Sequence, residues 1–296
     1  MSGPGAGGAQ DAPAPSWMAS QPVMPLVMPL VMGVLNVTPD SFSDGGRFLG
    51  ADAAIAHGLE MIAEGADVVD VGGESSRPGA DAVGTTEQIR RVVPVIEALA
   101  DGSVRVSVDT RDAEVARAAV RAGATLINDI SASLWPVAAD LGAGWVAMHM
   151  AGDPTDMQVS PSYDDVVAEV SSFLVERAER AVAAGVVEVW IDPGIGFGKS
   201  LDHNLALLGS VDRLVATGWP VLIGTSRKSS LGVLTGRSDA RVGIGDGSAT
   251  PATDRFEASL ATATWAMSAG VRMVRAHDVR AHRHAAAVVA GSIPAR

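Results

Sequence analysis

What most limits the fold of this chain is an alternation repeated eight times: a short apolar run, then a longer amphipathic one. The short runs cover residues 31–36, 68–71, 104–108, 125–128, 145–149, 187–191, 221–224 and 271–275. They are apolar on both faces, as parallel strands covered by helices must be. The longer runs, 51–64, 86–99, 113–121, 137–141, 163–184, 201–217, 255–268 and 280–289, read as helices. Gly65, Gly123, Gly185 and Gly270 close four of them, where a helix end turns left-handed before the next strand. Eight such pairs in about 260 residues predict one α/β domain, a (β/α)8 barrel over residues 29–296. The rival is a doubly wound sheet, but the first unit lacks its GxGxxG fingerprint. The fourth crossover is the least regular, since Ser131 to Pro136 leaves only a short helix before Trp145.

Such a barrel places its chemistry at the C-terminal ends of its strands. The polar residues ending the strands are Asn36, Asp70, Asp109, Asn128, His149, Asp192, Ser226 and Arg275. Taken singly, Asp109 or Asp192 has a helix N-cap as its lesser reading. As a set they describe a shared mouth. Asp109, Asn128 and Asp192 suit a flat heterocycle with an amino–amide edge, because carboxylates accept paired N–H bonds and an amide both gives and accepts. Lys228, Arg275 and His277 add positive charge on later strands, and Arg77 adds it from the second loop. The pocket expected is one that reads a neutral ring at its floor and an anion at its rim. Three loops look functional: Asn36 to Gly46, Gly72 to Ala80, and Asp192 to Lys199, whose glycines can form an anion nest. Within the last, Lys199 reads as a loop-shaping or surface residue. His57, His203, His282, His284 and Tyr163 read as surface or packing groups.

Composition narrows the partners. Formal charge is −12, from 34 acidic and 22 basic residues, so the surface repels nucleic acid and an anionic ligand needs a local basic pocket. Nearly all the basic residues are Arg; Lys199 and Lys228 are the only lysines, and Asn36, Asn128 and Asn204 the only asparagines. The lack of cysteine rules out disulfides, thiolate metal sites and a Cys nucleophile, and fits a reducing, cytoplasmic setting. Residues 1–28, rich in Gly, Ala, Pro and Ser, read as a disordered N-terminal extension without a membrane span.

Seven stretches together resemble one family. The run from Met32 to Gly46 (MGVLNVTPDSFSDGG) closely resembles the first signature of dihydropteroate synthases, and Asp70 to Gly79 (DVGGESSRPG) resembles the second. Ser107 to Thr110, Ile127 to Asp129, Ile191 to Lys199, Ser226 to Ser229 and Arg275 to Val279 follow in family order. The resemblance implies a transferase that condenses 6-hydroxymethyl-7,8-dihydropterin pyrophosphate with p-aminobenzoate. It implies that Asp109, Asn128, Asp192 and Lys228 hold the pterin, with Met148 against its face. The pyrophosphate then meets Asn36, Arg77, Arg275 and His277, and Asn36 coordinates Mg²⁺. The p-aminobenzoate lies near Ser76, Phe197, Lys228 and Ser229, covered by Thr38, Pro39, Ser41 and Phe42, while Asp40 and Asp44 order the first loop. Asp109, Asp192, Lys228, Arg275, His277 and Asp44 are the residues implied to act on the reacting centre. A homodimer is implied, with 256–269 a candidate contact, and so is ordinary sensitivity to sulfonamides, because Thr38 to Ser43 keeps the usual pattern. The departure is Ala132 to Pro136, where the family usually carries glycines and an Asp-Pro. Two rivals share the barrel: a methyltetrahydrofolate-binding methyltransferase module, which needs no cations around a leaving anion, and a non-catalytic pterin-binding paralogue.

Overall fold

The apolar runs do form strands. A computed structural model describes residues 28–38, 47–74, 82–102, 104–153 and 157–291. Its strands are β1 (Leu30–Asn36), β2 (Val68–Gly72), β3 (Arg105–Asp109), β4 (Leu126–Asp129), β5 (Gly144–Met148), β6 (Val189–Asp192), β7 (Leu222–Ile223) and β8 (Met273–Ala276). All pair in parallel, in the order β6-β5-β4-β3-β2-β1-β8-β7. A parallel bridge between Ile191 and Val221 links β6 to the approach of β7, so the sheet curls into a nearly closed barrel. Around it lie α1 (Arg47–Ala63), α2 (Thr85–Ala100), α3 (Ala113–Arg121), α4 (Trp135–Leu141), α5 (Val166–Ala183), α6 (Leu201–Gly209), α7 (Val211–Val215), α8 (Ser229–Arg241), α9 (Phe256–Ser268) and α10 (Val279–Val289). The expected (β/α)8 architecture is the observed one.

Strand side chains alternate between two faces, and each face is buried against a different partner. Outward residues such as Val31, Leu35, Val69, Val71, Ile127, Trp145 and Ile191 join one large core with the helices. Inward residues Met32, Val68, Leu126, Val146, Trp190, Leu222 and Met273 form a second cluster. They come from seven of the eight strands and plug the barrel. The chemistry therefore has to sit above this plug.

Three local outcomes differ from the periodicity. The expected helix 201–217 is broken at Ser210, whose φ of −121° separates α6 from α7. Strand six starts at Val189, because Val187 is 89% exposed. Helix α8 occupies a stretch that reads as loop, since Gly232 and Gly236 interrupt it. They are there for close approach: a Cβ on Gly236 would lie 1.9 Å from the Ser248 carbonyl oxygen, and one on Gly232 would lie 2.7 Å from that of Thr250. The fourth crossover is short as expected, and Asp129 organises it. Its carboxylate accepts from the backbone N–H groups of Ser131, Ser133 and Leu134, from the Ser131 hydroxyl, and from Trp145 Nε1. That supplies the cap which Leu134 cannot give α4. Ala132 adopts φ 48°, a left-handed conformation that glycine takes without strain. The extension expected over residues 1–28 lies outside the described residues apart from Met28.

Candidate active site

Move two residues along each plug strand and the side chain points the same way, one layer higher. From Met32 this leads to Val34, from Val68 to Asp70, from Leu126 to Asn128 and from Val146 to Met148. From Trp190 it leads to Asp192, from Leu222 to Gly224 and from Met273 to Arg275. β3 ends on Asp109. One cleft is lined by Val34, Asp109, Asn128, Met148, Asp192, Phe197, Lys228, Arg275 and His277, among others. Eight of the residues implied by the resemblance thus share one cavity.

A charged network crosses the cleft. Arg275 donates from Nε to Asp70 Oδ2 and from Nη2 to Asp109 Oδ2, both at 2.7 Å. Asn128 Nδ2 donates to the same Asp70 oxygen at 2.8 Å. Arg275 is therefore no free rim cation, as the sequence suggested, because two carboxylates tie it down. Asp70, wholly buried, was visible as a strand-end polar residue but carries no ligand motif of its own. Its part is to fix two residues that line the cleft. Burial would lower the Arg275 pKa, but the Asp70 and Asp109 carboxylates hold it above its ordinary value.

Burial dominates the titration of the other groups. It pushes Asp109 up to about 7, helped by the neighbouring Asp70 charge and opposed by Arg275 and Lys228. Asp192 rises to about 6 for the same reason, although Gly194 N–H donates to its Oδ1 at 2.7 Å. Lys228 falls to about 8 through burial and the nearby Arg275.

Lys228 stands at the N-cap of α8, after a strained turn. Arg227 has φ 59°, and is held by Ser259 Oγ on its N–H, by Arg255 on its carbonyl and by Asp278 on its guanidinium. Strain so fixed by its surroundings is typical of a functional position. The Lys228 ammonium lies 4.0 Å from the centre of the Phe197 ring, a cation–π contact. His277 and Ser226 bond to each other across β8 and the loop after β7, with Ser226 Oγ 2.9 Å from His277 Nδ1. Ser226, Gly194 and Ile195 also line the cleft and were not singled out as ligands.

Other expected residues stand apart. Asn36 is partly buried at the end of β1, its Oδ1 at ordinary contact distance, 3.6 Å, from where a Gly72 Cβ would sit, and it does not line this cleft. Thr38 is partly exposed after β1, and Ser229 is exposed at the start of α8. Neither lines this cleft. Pro39, Asp40, Ser41, Phe42, Asp44, Ser76 and Arg77 lie outside the described residues. Lys199 is not a surface residue: it is 3% exposed behind the cleft. His149, 8% exposed, packs beside it and is driven down to about 3 by burial and the Lys199 charge. His203 completes the capping box of α6, and His282 is a buried residue of α10 itself.

Among the described residues no cluster of three His, Asp or Glu side chains can hold a metal alone. Nor is any described helix long and apolar enough to cross a membrane. One amide oxygen at the mouth suits a hard cation that arrives with phosphate oxygens and keeps most of its waters.

Comparison with known proteins gives this geometry a family. The family described as pterin binding enzyme matches residues 32–277. The dihydropteroate synthase of Mycobacterium leprae is 46% identical over 270 residues, which is 88% of this chain and 92% of the relative. The Xanthomonas albilineans dihydropteroate synthase solved with 4-aminobenzoic acid is 47% identical with a TM-score of 0.80, covering 91% of this chain and 95% of that one. The Yersinia pestis dihydropteroate synthase, solved as a sulfonamide drug complex, is 42% identical with a TM-score of 0.80, covering 91% and 96%. The chain belongs to the pterin-binding enzymes and, within them, to the dihydropteroate synthases, which are transferases.

Proposed function

We propose that the cleft condenses 6-hydroxymethyl-7,8-dihydropterin pyrophosphate with p-aminobenzoate, releasing pyrophosphate. The observation that carries this reading is the single cavity in which Asp109, Asn128 and Asp192 face Lys228 and Arg275. The acceptors match the amino–amide edge of a pterin, and Lys228 donates to its carbonyl or ring nitrogen. Met148, 5% exposed, offers an apolar wall for the ring face. The guanidinium N–H groups of Arg275 that are not spent on Asp70 and Asp109, together with His277, stabilise the diphosphate as it leaves. Arg77 belongs to the same role from the second loop.

In the reaction the C–O bond of the pterin methylene breaks and its electron pair departs on the pyrophosphate oxygen. The aniline nitrogen lone pair forms the new C–N bond, and its surplus proton goes to solvent. Positive charge that grows on the methylene is favoured by the Asp109 and Asp192 carboxylates. An unprotonated aniline is nucleophilic enough to need no dedicated base. Asn36 would hold Mg²⁺, which when bound neutralises charge on the leaving diphosphate. Closure of the first loop, through Thr38, Pro39, Ser41 and Phe42 with Asp40 and Asp44, excludes water that would trap the pterin as an alcohol.

The p-aminobenzoate, and sulfonamides in its place, sit beside Phe197, Lys228 and Ser229, with Ser76 completing the site. Support comes from the relatives solved with 4-aminobenzoic acid and with a sulfonamide drug. A homodimer is part of the proposal, through α9, where Trp265 is 62% and Phe256 38% exposed. The test of the activity is pyrophosphate release. It should require both the pterin pyrophosphate and p-aminobenzoate, and pterin binding without turnover would refute the assignment.

A further inference from the structure

The chain has two lysines, Lys199 buried and Lys228 partly buried, and both meet the same aromatic residue. Lys228 lies on the ring of Phe197; Lys199 grips the backbone of the same residue. Lys199 Nζ is 2.9 Å from the Phe197 carbonyl oxygen, 3.2 Å from the His149 carbonyl oxygen and 2.9 Å from His149 Nδ1. An ammonium has three N–H donors, and here three acceptors meet them. None is a carboxylate, and burial pushes the Lys199 ammonium down to about 7 against the pull of the Asp192 charge, a cost that a neutral side chain would avoid. A surface loop does not require such an arrangement.

What this cation fixes is a shelf. The loop from Asp192 to Lys199 presses against the end of β5 so closely that a Cβ on Gly194 would lie 1.9 Å from the His149 carbonyl oxygen. One on Gly198 would lie 2.3 Å from that of Ala151. Successive carbonyls are then held one by one. Gln158 donates to Gly196, Lys199 to Phe197 and Tyr163 to Gly198. The Phe197 ring is left facing the cleft, and the Lys228 stem runs over Gly196, with Cδ 3.3 Å from where a Cβ would sit. The path from Lys199 to the ligand has two steps: through the Phe197 carbonyl to its ring, and through the ring to the Lys228 ammonium.

We propose that Lys199 is a positioning residue for the p-aminobenzoate half of the site, acting through Phe197 on Lys228 and not touching substrate. This rests on the assignment of Phe197 and Lys228 to that half. Lys199→Met keeps the stem and removes the donors. In the full chain it should raise KM for p-aminobenzoate about tenfold while KM for the pterin pyrophosphate stays within about twofold. Combined with Phe197→Leu, its effect should be far from additive, because both changes disturb the same shelf. A residue that merely staples the loop would lower the melting temperature and leave the ratio of the two KM values unchanged; that result, or full additivity, overturns the proposal. Should Lys199→Met not fold, Tyr163→Phe decides, since it frees only the adjacent carbonyl. A rise of about threefold in KM for p-aminobenzoate alone supports the proposal, and an unchanged KM overturns it. Absence of turnover in the unmodified chain would instead count against the activity itself.

Discussion

The Arg275 guanidinium shows how much one side chain is asked to do. It bridges Asp70 and Asp109, both deep in the barrel, and still lines the cleft. Removing it leaves two buried carboxylates without their counter-charge, which typically costs about 3–5 kcal/mol. Arg275→Ala should therefore lower the unfolding free energy by about that amount in a denaturant titration, beyond any loss of affinity. A change within about 0.5 kcal/mol would mean the pair is not formed. The titrating groups make a second expectation. Asp109, held up to about 7, must be ionised to accept an N–H, so activity falls as pH drops through that value. Lys228, held down to about 8, must be protonated to bring positive charge to the ligand, so activity falls as pH rises through it. The two requirements overlap only in a narrow neutral window. The limbs belong to the coupled cluster rather than to single residues. A profile of kcat/KM that stays flat from about pH 6 to 9 would contradict this picture. Asp109, Asn128, Asp192 and Lys228 were legible in the sequence because each polar residue follows an apolar strand. Asp70 was legible as polar but not as a partner, since nothing local says that β8 will send an arginine across the barrel to meet it.

At the scale of elements, the site is a consequence of strand period. Each plug residue is followed two positions later by a mouth residue, so the spacing that buries Leu126 also presents Asn128. This much could be read from the chain, as could the helix ends marked by Gly65, Gly123, Gly185 and Gly270. Helix α8 could not, because its glycines answer contacts with Ser248 and Thr250, residues distant in the reading order. Nor could the break at Ser210, which a continuous apolar period conceals. The fourth crossover yields a prediction at this scale. Asp129 satisfies three backbone N–H groups, one hydroxyl and the Trp145 indole, so Asp129→Ala should destabilise the fold by about 3 kcal/mol or more. Ala132→Gly has the opposite sign, because φ 48° strains an alanine but not a glycine. Its melting temperature should rise by a few degrees, about 1 kcal/mol of relief. A lower one would show that the left-handed turn is not strained.

For the whole molecule, the net charge of −12 makes a local basic rim necessary for any diphosphate to approach. The exposed aromatics of α9 supply the prediction on assembly: light scattering should give twice the chain mass, and Trp265→Glu should return it to that of one chain. A single-chain mass for the unmodified protein would remove the dimer. The central claim is a division of labour within one cavity, with the ring read at the floor and the diphosphate held at the lip. Calorimetric titration of hydroxymethyl pterin and of its pyrophosphate into two variants tests this directly. Asp192→Asn should weaken both ligands alike, by about a hundredfold, while His277→Ala should weaken the pyrophosphate ester alone. If both variants treat the two ligands in the same way, the floor and the lip are not separate and the account fails.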